Sequence, residues 1–311
     1  MEEKRRKPSY WVVIVITLLV LGFLSVMFAG FIGLFILDKE PIATGNVAVI
    51  DIQGVITSSK EGVFSSAVAS STDIVKLIEK AAKDSSVKAI IFMINSPGGS
   101  AVASDEIATA VKAANKTSVA VIREFGTSGA YWIASATDHI IANKASFTGS
   151  IGVRASYLEF PGLLQEYNVT YRRLVAGKYK DMGSPFRELS PEEEQIFQQT
   201  LDQLHDIFIQ EVAQNRNMSY GEVKELATGV FYTGLQGKEL GLVDELGGKN
   251  EAKRYLEKTL NITVEMKPYR REKSLFELLA GGVDSRMYSL GRGIGDSLIH
   301  ADAEGTLSVT V

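Results

Sequence analysis

The stretch VKAIIFMINSPGGSAVASDEIATAVKAANKTSVAVIREF, Val87–Phe125, decides the fold. Val87–Asn95 is a nearly continuous apolar run, the pattern of a strand buried on both faces. Pro97, Gly98 and Gly99 break it. Ala103–Asn115 then reads as a helix and Ser118–Phe125 as a second strand. A strand, a helix and a strand in such close succession imply a right-handed crossover and a parallel pair.

The pattern repeats on both sides. Upstream, Asn46–Ile56 alternates and is β-branched, with Gly54 interrupting it. Ser71–Asp84 carries Ile74, Leu77, Ile78 and Ala81 at helical spacing. Downstream, Ser128–Thr137 reads as a helix and His139–Asn143 as a short strand. The expected class is α/β with a largely parallel sheet. The second half is more helical. Ser190-Pro191-Glu192-Glu193 is a capping box with proline at the first helical position, and a long amphipathic helix follows it. Shorter helices are expected near Ser219–Ala227, Gly234–Leu240 and Asn250–Leu260. The organised domain is expected over 43–266, with 267–311 as a C-terminal extension.

Composition narrows the chemistry. The chain has 311 residues, a net charge of −4, no cysteine and three histidines. The absent cysteine excludes disulfides, a cysteine nucleophile and cysteine-ligated zinc. So few histidines argue against a histidine metal site, and the acidic balance argues against nucleic acid as a partner. Tyr10–Leu37 runs without a charge and exceeds the roughly 20 residues a spanning helix needs. Lys4, Arg5, Arg6 and Lys7 precede it. The positive-inside rule therefore predicts a cytoplasmic tail at 1–9, an anchor at 10–37 and an extracytoplasmic remainder. Four Asn-x-Ser/Thr sequences, at Asn115, Asn168, Asn217 and Asn261, would be glycosylation acceptors only outside the cytoplasm.

The candidate chemistry centres on Ser128. It sits in Gly126-Thr127-Ser128-Gly129, between an apolar strand and an alanine-rich helix. There its hydroxyl lies beside the free amides and positive end of a helix. The plainer reading is a helix cap. A serine nucleophile needs a base. His139, His205 and His300 lie in no glycine-rich or turn context. Lys178 and Lys180 lie in a glycine-punctuated loop beside Asp181 and Ser184. A lysine serves as base when burial holds its amine neutral, although loop lysines are commonly plain surface groups. Gly98 and Gly99 end a buried strand where open α/β sheets bind ligands, so their amides suit an oxyanion. Neither a dinucleotide nor a P-loop glycine pattern is present there. Ser150 follows a second glycine turn, Phe147–Val153.

Taken in order, five segments resemble the signal peptide peptidase A (SppA) family of membrane-anchored serine proteases. They are Asn95–Gly99, Ser128–Tyr131, Thr148–Val153, Lys178–Pro185 and Gly241–Gly247. The similarity spans roughly Val47 to Gly248. It implies a Clp protease/crotonase-like spiral of ββα units, preceded by one N-terminal transmembrane helix. It implies Ser128 as nucleophile, Lys180 as general base, and Ser150 as the serine that orients the lysine. Gly98 matches the oxyanion-hole glycine, with the Ser128 amide as second donor. The implied function is degradation of remnant signal peptides and other unfolded or membrane-derived peptides. The implied assembly is a homo-oligomeric ring, and no cofactor or metal is called for. Gly129-Ala130 replaces a Gly-Gly pair, and Lys178 stands where relatives often carry a small residue. The rivals are a stomatin-cleaving membrane peptidase, an acyl-CoA enzyme of the crotonase class, and a catalytically inactive scaffold.

Overall fold

A computed structural model describes residues 10–37, 44–59 and 68–271. The basic tail expected at 1–9 and the extension from 272 onward lie outside the described residues. Two units are present. The first is a single helix, α1 (Tyr10–Leu37). Its 28 residues measure about 42 Å at the α-helical rise, more than the ~30 Å hydrocarbon core of a bilayer.

The second unit begins at Gly45. Its elements in chain order are β1 (Val47–Gln53), β2 (Val55–Thr57), β3 (Val68–Ser70), α2 (Ser71–Lys83), β4 (Ala89–Ser96), α3 (Ala101–Ala113), β5 (Thr117–Thr127) and α4 (Gly129–Ser135). Then come β6 (His139–Ala142), β7 (Phe147–Gly149), α5 (Pro161–Glu166), α6 (Pro191–Arg216), α7 (Tyr220–Leu226), β8 (Phe231–Thr233), α8 (Gly234–Glu239), β9 (Glu245–Leu246), α9 (Lys249–Leu260) and β10 (Met266–Tyr269). The main sheet runs β10-β1-β4-β5-β6-β9 and all its pairs are parallel. On its side away from β4, the long β5 serves two partners. Val119–Ile122 pair with β6, and Phe125–Thr127 pair with β7. β8 then adds to β7 antiparallel.

Alternation along the central strands builds two cores. Ile50 and Ile52 of β1, Ile90, Phe92 and Ile94 of β4, and Ala120 and Ile122 of β5 face one way. There they meet Ile74 and Ile78 of α2, Ile107 of α3, Trp132 of α4 and Phe208 of α6. Val47, Ala89, Ile91, Val119 and Val121 face the other way, onto Ala252 and Leu256 of α9. Burial on both faces is why Val87–Asn95 has no polar alternation.

The domain edge expected at 266 falls inside a strand. β10 pairs with β1 from Val47↔Met266 to Ile50↔Tyr269, and the Tyr269 hydroxyl donates to Asp84 at 2.7 Å. Bonds from Ser86, Tyr269 and Lys267 hold the Asp84 carboxyl well below the usual carboxylate range. The four Asn-x-Ser/Thr sequences acquire a structural reason. Each asparagine closes a helix with a positive φ, from 49° at Asn115 to 54° at Asn168. Asparagine tolerates that left-handed position better than other side chains.

Candidate active site

Ser128 joins β5 to α4. Its backbone sits at φ 54°, ψ −128°, a region that side-chain-bearing residues rarely occupy. Its hydroxyl makes no capping bond to the helix, which removes the plain-cap reading of this serine. The strain is held from both sides. The Ser128 amide donates to the Gly149 carbonyl at 2.8 Å, and the Ser128 carbonyl accepts from the Tyr131 and Trp132 amides. A strained, over-determined residue that leaves its hydroxyl uncommitted is the geometry of a nucleophile at a strand-to-helix turn.

The loop after β4 lies against it. A Cβ placed on Gly98, whose φ is +96°, would lie 2.9 Å from the Ser128 Cβ and 2.8 Å from the Gly129 nitrogen. The two oxyanion donors expected from the sequence, the Gly98 and Ser128 amides, are both committed elsewhere. Gly98 donates to the Ser96 hydroxyl at 3.1 Å, and Ser128 to Gly149. Strand pairing is the physical reason for the second, and a serine-closed turn for the first. The neighbouring amides are placed differently. Gly99 forms a parallel bridge with Ile56, whose nitrogen donates to Gly98 and whose carbonyl accepts from Ser100. Gly99's own N–H therefore points away from Ile56, and a Cβ placed on Gly129 would lie 3.4 Å from that nitrogen. Gly129 is the first residue of α4, so its N–H has no acceptor within the helix.

A Cβ at Gly99 would stand 2.0 Å from the Ile56 carbonyl oxygen. Gly99→Ala is therefore expected to displace this loop. It should cost about 1–3 kcal/mol, the range for overpacking, and remove hydrolysis with it. Thermal unfolding and an activity assay on the same preparation check this.

Ser150 follows β7 as Ser128 follows β5. Thr127 and Gly149 are register partners, so the two serines leave adjacent strands together. Ser150 also has a positive φ of 51°. Its hydroxyl donates to the Gly229 carbonyl at 3.0 Å and its amide to the Val230 carbonyl.

The two loop lysines differ. Lys178 is bound to both carboxylate oxygens of Glu192 at 2.8 Å, and this pairing raises its pKa. A lysine so held stays an ammonium and is unsuited to take a proton. Lys180 is exposed, and among the described residues its ammonium has no hydrogen-bond or ion-pair partner. The structure does not join it to Ser128 or Ser150 within one chain. Its loop is tied to α6 at Glu192 and Glu193, whereas α4 packs on α6 at Phe208, through the Trp132–Phe208 stack at 4.8 Å. From residue 193 to 208 of a straight helix is on the order of 20 Å.

The histidines find structural roles or none. His139 stacks on Tyr255 at 3.9 Å and faces Asp244 and Glu245. His205 is half-buried on α6, and His300 lies outside the described residues. Among the described residues no cluster of three or more metal-ligating side chains occurs.

The profile of Peptidase family S49 matches residues 110–263 of this chain. That of the ClpP-like SDH-type serine proteinases matches residues 44–174. A protein named as a protease in Methanocaldococcus jannaschii is 34% identical over 76% of this chain and 77% of its own. One named as a candidate signal peptide peptidase, SppA, in Enterococcus faecium is 34% identical over 72% of this chain and 67% of its own. A third, named as a protease in Synechocystis, is 36% identical over 70% of this chain and 79% of its own.

Proposed function

Because this chain belongs to peptidase family S49 and is a membrane-associated serine peptidase of the Clp-like α/β fold, we propose that it cleaves peptides with Ser128 as nucleophile and Lys180 as general base. The observation that carries the reading is the strained Ser128 backbone, with its hydroxyl free of any capping bond and the Gly98-Gly99 loop packed against it. Lys180 takes the Ser128 Oγ proton as Oγ attacks the scissile carbonyl carbon. The oxyanion accepts hydrogen bonds from Gly99 and Gly129, each worth about 3 kcal/mol in comparable sites. The C–N bond then breaks, and the Lys180 ammonium gives its proton to the leaving amine. Water, deprotonated by the same amine, releases the acyl group and restores the Ser128 hydroxyl. Ser150 orients Lys180. Its hydroxyl, while donating to Gly229, keeps its lone pairs for an Nζ–H.

The separation of Lys180 from Ser128 within one chain supports a homo-oligomeric ring in which a neighbouring copy supplies the lysine. Exposed apolar side chains in the segment before it, among them Leu158, Tyr167 and Leu174, support the same assembly. The substrates are remnant signal peptides and other unfolded or membrane-derived peptides; one relative is named as a signal peptide peptidase. The N-terminus is cytoplasmic and the domain after α1 extracytoplasmic, following the basic residues before Tyr10. The test is digestion of a synthetic signal peptide by the full chain in detergent micelles, with cleavage points read by mass spectrometry. Internal cleavages are expected. An intact peptide alongside cleavage of unrelated folded proteins would overturn the substrate class.

A further inference from the structure

We propose that Arg187 is a positioning residue for the general base, its guanidinium locking the Lys180 turn to the start of α6 through Asp181 and Glu193. The proposal rests on the reading of Lys180 given above.

The turn's other ties are exposed ones, from Lys178 and the Tyr179 hydroxyl to Glu192 and from Arg173 Nη2 to the Lys178 carbonyl. Gly177 and Gly183, with φ of +104° and +82°, bracket the turn, and every residue from 171 to 180 is exposed. Asp181, directly after the lysine, is the exception, with its side chain only 11% exposed. Arg173 Nε forms an ion pair with Asp181 at 2.6 Å. Arg187 donates to it through Nε and Nη2, each at 3.1 Å, and from Nη2 to the Asp181 carbonyl at 3.2 Å. The same guanidinium reaches Glu193 with Nη1 at 2.8 Å and Nη2 at 2.6 Å. Glu193, its side chain 7% exposed, also accepts from the Ser190 amide at 3.0 Å, as the capping box of α6. The chain of contacts thus runs from the residue after the base to the first turn of the longest helix of the second unit. A planar fork of N–H donors grips two carboxylates in a fixed geometry. A lysine ammonium has three rotatable donors and no such fixed fork, so it holds the two carboxylates less rigidly. Arg187 holds the Glu193 carboxyl down at about 2 and keeps Asp181 low as well, so the clamp stays charged at any working pH. The outer pair of Lys178 with Glu192 is exposed and screened.

The test uses the full chain in detergent with a quenched-fluorescent peptide. Arg187→Met is expected to lower kcat about 10–100-fold, the scale of a 1 Å misplacement, with KM within about twofold. Arg187→Lys should recover only part. The acid limb of the kcat–pH profile should move, because the base changes surroundings. A merely structural role would lower the active fraction and leave that limb in place. Asp181→Asn is milder and carries the same readout should Arg187→Met fail to fold. Wild-type kcat and an unmoved limb in the folded variant overturn the proposal. Lys180→Ala separates the two layers. If it remains active, the base is misassigned. If it is inactive while Arg187→Met is fully active, only the clamp is wrong.

Discussion

Replacing Ser128 by alanine is expected to lower peptide hydrolysis by about 10⁶-fold, the loss seen when a protease loses its serine nucleophile. The fold should persist, because the hydroxyl caps nothing and the backbone bonds to Gly149, Tyr131 and Trp132 remain. A second substitution separates chemistry from strain. Glycine occupies a positive φ without penalty. Ser128→Gly should therefore be as inactive as Ser128→Ala yet more stable, by about 1–2 kcal/mol, the cost of a left-handed residue. Thermal unfolding beside a peptide assay reads both effects. Turnover retained by a clean Ser128→Ala preparation would take this residue out of the mechanism.

The second large effect concerns the lysine. Lys180→Ala should be inactive, whereas Lys178→Ala should keep most activity, since Lys178 is paired to Glu192. Activity of the unaltered enzyme should fall as pH falls, because a protonated amine accepts nothing. The separation of loop and nucleophile along α6 makes a sharper expectation. Mixed oligomers of Ser128→Ala and Lys180→Ala chains, each inactive alone, should regain activity. Random equal mixing pairs an intact serine with an intact neighbouring lysine in about a quarter of head-to-tail contacts. Mixtures that stay silent after subunit exchange, with exchange shown by labelled chains, would mean that serine and base come from one copy. If Lys178→Ala is the inactive variant, the two lysines exchange roles.

The sequence made much of this legible where the signal was local. Apolar runs doubly buried in β4 and β5, helix spacing in α2 and α3, and the capping box of α6 all follow from neighbours a few residues apart. Ser128 stood out for the same reason, as a polar residue between glycines at the end of a strand. Three of the short strands did not. β8, β9 and β10 hold two to four residues each, and their partners lie far away in the chain. Nothing in Phe-Arg-Glu at 186–188 announces that Arg187 bridges two carboxylates.

By itself the sequence determined the α/β class and the apolar N-terminal helix, and it singled out Ser128 as the serine to propose, because each is written in hydrophobic period, length or glycine placement. The tertiary structure decided which amides beside Ser128 are already bonded. Gly98 and Ser128 give their N–H groups to Ser96 and Gly149, leaving Gly99 and Gly129. It also decided that Lys180 stands apart from Ser128 within a chain. Hydrogen-bond direction and distance through space are properties of packed strands and helices, and no pattern along the chain encodes them.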